Sequence, residues 1–190
     1  ETVREQIRQR LLDSDAAQEC HQLLQRFPLS LLTRGSADQL ADEICSVTSR
    51  LSAGDQSICT CRFDPKWKTM RYTVIHRENA ESIGTFARAT GALNVAGLVV
   101  MRAQIETIGD ELAWDDFWVI DPDFPDSEPP EQRTASVCDS VCHLLDAIDE
   151  PLPPYRKTWA TQDRREPDSV NVLPKNCLLY TSDAADDQAC

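Results

Sequence analysis

The chain has 190 residues, 27% of them charged and 41% hydrophobic, with a formal charge of −13. That composition fits one or two globular domains. The negative charge argues against a nucleic-acid partner, because phosphate binding needs a basic surface, and no apolar run reaches the length of a membrane span. The N-terminus, Glu1-Thr2-Val3-Arg4-Glu5, lacks Met and a signal-peptide core, so the expectation is a cytoplasmic protein that begins at a cut end.

Val3, Ile7, Leu11, Cys20, Leu23, Leu24 and Phe27 recur at helical spacing. Phe27-Pro28 stops that first helix, since a residue before proline avoids the helical region. Ser36 is placed to cap a second helix carrying Leu40, Ile44, Val47 and Leu51 on one stripe. Two helices of this length cannot bury a core alone, so they must pack on something else.

From Ser57 the period changes to two, and Ile58, Thr60 and Arg62 alternate with Cys59, Cys61 and Phe63 as on a strand. Lys66-Trp67-Lys68 reads as a turn and Arg71 to His76 as a second strand. Asn79 or Ser82 can cap the following helix, in which Ile83, Phe86, Thr90 and Leu93 face inward, with Gly97 as its terminal glycine. Leu98 to Ile108 reads as a long strand. Its Met101, Ala103, Ile105 and Thr107 are expected on the core face, and Arg102, Gln104 and Glu106 in water. Gly109-Asp110 is a hairpin turn, and Leu112 to Ile120 returns with Ala113, Phe117 and Val119 inward. After Pro129-Pro130, with Asp126 or Ser127 near the cap, a helix carries Val137, Cys138, Val141, Leu144, Leu145 and Ile148 on its apolar stripe. Tyr155 to Asp168 is polar and reads as a linker. Val170 to Pro174 can begin another strand.

Counted from Arg71, the order is strand, helix, strand, strand, helix and a further strand. The expected fold class is therefore α+β, a ferredoxin-like βαββαβ antiparallel sheet with helices on one face, preceded by N-terminal helices. The chain divides into a helical connector (1–55), the α+β module (56–154), a linker leading toward a second module (155–176) and a tail (177–190). The tail, CLLYTSDAADDQAC, changes abruptly in composition and resembles a translated sequencing-adapter sequence, so it reads as non-native.

Chemistry is sparse. None of the G-x-x-x-x-G-K, G-x-G-x-x-G, H-E-x-x-H or G-x-S-x-G patterns occurs, and His21, His76 and His143 are isolated. No catalytic residue is assigned. Asp115 and Asp116 fall on opposite faces of a strand and cannot act as a pair. Asp121 and Asp123 fit a strand-ending turn better than a cation site. Cys59, Cys61, Cys138 and Cys142 would make an unusual zinc set, because neither pair has the usual spacing. They read as free, buried thiols, and no metal ligand is assigned. What remains is the turn from Glu78 to Gly84. A helix N-terminus presents free N–H groups and the positive end of its dipole, and glycine allows close approach to the backbone. Asn79, Ser82 and Gly84 are therefore the candidate ligand-binding residues.

Four stretches resemble an ACT domain: Tyr72-Thr73-Val74; Gly84-Thr85-Phe86 with Thr90-Gly91-Ala92-Leu93; Ala103-Gln104-Ile105-Glu106-Thr107; and Asp115-Asp116-Phe117-Trp118-Val119-Ile120-Asp121. More narrowly they resemble the first ACT domain of the protein-PII uridylyltransferase/uridylyl-removing family. Arg26-Phe27-Pro28-Leu29-Ser30-Leu31-Leu32 resembles its helical connection after the HD domain, and Val170 to Pro174 its lead-in to a second ACT domain. The resemblance implies a regulatory segment that senses glutamine in nitrogen metabolism. It also implies a parent enzyme that modifies the PII signalling protein with domains, and a Mg2+ requirement, not represented in this chain. Glu78-Asn79-Ala80-Glu81 departs from the family's Asp-x-Pro-Gly style of loop.

Overall fold

The computed structural model describes residues 2–13, 16–77, 84–109, 111–147, 149 and 151. The first predicted helix is interrupted. Helix α1 (Val3–Arg10) passes through a 3-10 turn (Leu11–Asp13), and α2 (Ala17–Arg26) resumes the apolar stripe with Cys20, Leu23 and Leu24 buried. Phe27-Pro28 ends α2 as expected, and a short α3 (Leu29–Leu32) follows. Helix α4 (Ala37–Ala53) begins at Ser36 with a complete capping box: the Gln39 N–H donates to Ser36 Oγ, and the Ser36 N–H to Gln39 Oε1.

The sheet is antiparallel. Strands β1 (Ser57–Asp64) and β2 (Thr69–Arg77) form a hairpin whose turn is held by Asp64 Oδ1, which accepts from the Lys66 and Trp67 N–H groups. After α5 (Thr85–Val95) come β3 (Val99–Gln104), β4 (Thr107–Ile108) and β5 (Leu112–Ile120), then α6 (Glu131–Asp146). The strand order is β1-β2-β5-β3, with β4 also paired to β5. The protein is thus α+β, with a five-stranded antiparallel sheet and six α-helices among the described residues, an arrangement compatible with a ferredoxin-like fold. The place beside β2 is filled by β1, from the N-terminal side. The strand expected at Val170 to Pro174 lies outside the described residues.

Alternation on the strands sorts side chains to two faces. Cys59, Tyr72, Val74, Phe117 and Val119 join Ala89, Leu93, Val137, Val141 and Leu145 in the core under α5 and α6. Ile58, Ile75, Ile108 and Trp114 join Ile7, Leu24, Leu31, Leu40 and Ile44 in a second core under α1–α4. The N-terminal helices therefore find their partner in the sheet itself. The expectation of a sheet with one watery face is corrected, because β2 and β5 are buried on both sides.

The predicted inward set of the third strand is also corrected. Met101 and Ile105 are exposed, as are Ala103 and Thr107. The register slips between Val100, opposite Val119, and Arg102, opposite Trp118, so Met101 is the extra residue of a β-bulge. Ile105 falls in the break between β3 and β4 on the sheet edge. Phe86, predicted inward, is 43% exposed but stacks on Phe117 at 5.8 Å. Helix α6 is capped at Pro130 with no side-chain bond; Asp126 instead pairs with Lys68, and Ile148 lies outside the described residues. Asp121 is a turn residue, as expected: its Oδ1 accepts from the Asp123 N–H and its Oδ2 pairs with Arg133. Among the described residues no helix is long and apolar enough to cross a membrane.

Candidate functional site

Strand β2 ends at Arg77, and the described chain resumes at Gly84, which is the N-cap of α5. Its φ of 96° is left-handed, a conformation that costs any residue with a Cβ. Gly84 supplies the carbonyl for the first helical bond, accepting from the Arg88 N–H at 2.8 Å, but no side chain caps the helix there. The expectation that Ser82 or Asn79 occupies the cap is therefore corrected: the N-cap is Gly84. As ligand-binding candidates, Asn79 and Ser82 lie outside the described residues. The first-turn N–H groups of α5 thus receive no bond from an N-cap side chain.

On the α5–α6 side of the sheet the fold buries polar groups that lie far apart in sequence. Thr85 and Arg88 of α5 are buried, as are Asp115 of β5, His76 of β2 and Ser57 of β1. The Arg88 guanidinium donates to the carbonyls of Ala147 at 3.1 Å and Leu144 at 3.4 Å. A cation there answers the unpaired carbonyls and negative dipole end of α6. The Ser57 hydroxyl donates to Asp146 Oδ1 at 2.6 Å and lies 2.8 Å from His76 Nδ1. Its single proton is given to the carboxylate, so it accepts from an Nδ1–H of His76. Serine, histidine and aspartate are all present, but in the wrong order for nucleophilic catalysis. A catalytic imidazole takes the serine proton and is itself held by the carboxylate. Here the serine is the bridge, tying β1 and β2 to the end of α6.

The second cluster is the thiols. Cys59 and Cys61 of β1 meet Cys138 and Cys142 of α6 in the same core. Hydrogen bonding to Cys138 and burial hold the Cys59 thiol well above its usual range. Accepting that bond lowers the Cys138 thiol. Burial raises Cys61 to about 12 and Cys142 to about 11. Tyr72 beside them is also raised, first by burial and then by Cys61. Cys59, Cys61 and Cys142 behave as neutral packing groups, and among the described residues no three His, Cys, Asp or Glu side chains are placed to share a metal ion.

On the opposite face of β5, Asp116 is fully buried. It accepts from Arg34 Nη1 at 2.6 Å and from the Thr73 hydroxyl at 2.6 Å, and Arg34 Nη2 reaches Glu43 at 2.6 Å. Asp115 and Asp116 therefore serve different faces, as the alternation requires. Neither the Ser57–His76–Asp146 link nor the Arg34 network was foreseen from sequence. Their members sit tens of residues apart, and only strand register and helix docking bring them together.

Compared with known proteins, the chain matches no family model, no curated protein and no solved structure.

Proposed function

We propose that this chain is a regulatory segment of a protein-PII uridylyltransferase/uridylyl-removing enzyme, and that its sheet with α5 and α6 is an ACT-type module responding to glutamine. The resemblance supports this reading through stretches that fall on β2, the start of α5, β3–β4 and β5. The observation that carries it is the start of α5. There a left-handed glycine is an N-cap without a side-chain bond, at the start of a helix whose Arg88 is buried one turn further on. The helix N–H groups suit the α-carboxylate of an amino acid. Transfer chemistry, its Mg2+ and contact with PII belong in this reading to other domains of such an enzyme. Calorimetric titration of the 190-residue chain with L-glutamine should give saturable heat that D-glutamine does not. No heat at millimolar ligand from a folded sample overturns the sensing role.

One observation favours a second reading, an ACT-type module that only holds neighbouring elements together. Ser57, His76, Asp146 and Arg88 already bond to groups of their own chain. On that reading Asp146→Ala lowers the unfolding midpoint, and neither the variant nor the wild type responds to any amino acid.

A further inference from the structure

The strand registers align four residues in one row across the sheet. Arg62 of β1 lies opposite Arg71 of β2, Arg71 opposite Trp118 of β5, and Trp118 opposite Arg102 of β3. All four are on the α1–α4 face, beyond the point where the helices cover it. Arg62 and Arg102 are exposed, and Arg71 and Trp118 are half-buried. The Arg102 guanidinium lies over the Trp118 ring at 4.6 Å. The side chains of Arg62, Arg71 and Arg102 make no ion pair or hydrogen bond with the described residues. That is an odd arrangement in a chain with 32 acidic and 19 basic residues. Like charges directly opposite on a sheet are destabilising, so the Arg62–Arg71 pair is unfavourable on its own.

Arg62, Arg71 and Trp118 of this row line a cleft of about 270 Å³ together with Arg34, and Arg102 joins the row through its contact with Trp118. The Arg34 side chain is 4% exposed, and its Nε has no hydrogen-bond partner although both terminal nitrogens pair with acids. Asp64 also lines the cleft, with one oxygen occupied by the β1–β2 turn. Asp42 and Glu43 lie on the α4 side of Arg62 and Arg71 but outside ion-pair distance of both.

We propose that this row is a binding site for a small ligand bearing two or more linked phosphates. Adjacent strands are about 4.8 Å apart, so the row spans roughly 14 Å from Arg62 to Arg102. A single carboxylate would occupy one arginine; a chain of phosphoryl groups can engage the two opposed guanidiniums at once, each through a bidentate pair. Such a ligand offsets the like-charge repulsion between Arg62 and Arg71. The Trp118 edge and the Arg102 plane offer a stacking surface to a base attached to those phosphates. The site is on the face away from α5 and does not depend on the glutamine reading.

The test is calorimetric titration of the 190-residue chain with inorganic tripolyphosphate, ATP and citrate at equal ionic strength. Tripolyphosphate should bind and citrate, a tricarboxylate of lower charge, should bind at least about tenfold more weakly, because linked phosphoryl groups bring more charge to the two opposed guanidiniums. Equal affinity for ATP and tripolyphosphate means that the phosphates alone are recognised; tighter ATP binding adds the base on Trp118. Arg62→Gln and Arg71→Gln should each lower tripolyphosphate affinity about tenfold, the loss expected for a charge-assisted bond. They should also leave the unfolding midpoint of the ligand-free chain unchanged or higher, because a repulsion is lost. If Arg71→Gln fails to fold, the exposed Arg62→Gln and Arg102→Gln decide. Absence of binding, citrate binding as tight as tripolyphosphate, or unchanged affinity in the Arg62→Gln variant overturns the proposal.

Discussion

The α1–α4 side of the sheet buries Trp114, Arg34 and Asp116; the α5–α6 side buries Phe117, Tyr72 and the thiols of β1 and α6. The first side places full charges where there is almost no water. Arg34 is held between Asp116 and Glu43 and lies 5.1 Å from the Trp114 ring centre. In its thiol layer the second side holds sulfurs and a phenol raised by burial instead, while its own buried charged residues, Arg88 and Asp115, lie outside that layer. The contrast shows two ways of docking helices on one sheet. A buried ion network is sensitive to the loss of any member, since each charge depends on the others for compensation. A thiol-rich layer holds by area and shape, and tolerates small losses.

The strongest way to break this comparison is at Asp116. Removing its carboxylate in Asp116→Ala strips Arg34 of a partner at 2.6 Å and leaves the Thr73 hydroxyl without its acceptor. The expected loss is about 3–5 kcal/mol in urea unfolding, the range for leaving a buried charge uncompensated. Replacing Arg34, Glu43 and Asp116 together by Met, Leu and Leu should recover most of that loss. If the single variant loses under about 1 kcal/mol, the network is not the buried ion cluster described here.

The thiol side should answer to pH instead. Cys61 has an ordinary value of 9.0 and is raised to about 12 by burial. Its folded value lies above its unfolded one, so its contribution is fully present below pH 9 and is lost as pH rises toward 12. In the interval the slope approaches about 1.4 kcal/mol per pH unit for one such group. The urea midpoint should fall between pH 8 and pH 10.5, and the fall should shrink in Cys61→Ala. A midpoint flat across that interval would mean that the thiols are not buried as neutral groups.

The two sides also differ in how far they could be read from sequence. Ser36 announces the α4 cap because an N-cap is a local signal, and the stripe of Leu40, Ile44 and Val47 is a local period. The inward residues Phe117 and Val119 follow from alternation on an unbroken strand. Met101 does not, because a bulge shifts the alternation by one residue and no local signal marks it. The covering of the second sheet face depends on where α1–α4 dock, and the thiol cluster depends on α6 lying over β1. The arginine row is invisible for the same reason: Arg62, Arg71 and Arg102 become neighbours only through register. At the candidate site Gly84 was legible as a glycine beside a helix start, whereas Ser57, His76 and Asp146 carry no shared motif.

The smallest expected effect lies at Gly84, on the same side as the thiols. A Cβ built there meets no atom within 4 Å, so Gly84→Ala introduces no clash. Its cost is that of the backbone alone, because a φ of 96° is left-handed and disfavours any residue with a Cβ. That amounts to about 1–2 kcal/mol, below the Asp116 effect because no buried group loses a partner. Gly84→Asn should recover part of it, since asparagine visits the left-handed region more readily. Urea midpoints of the two variants against wild type give the measurement. Wild-type stability in Gly84→Ala would show that the helix start relaxes out of the left-handed conformation. The feature that carries the glutamine reading would then be absent in solution.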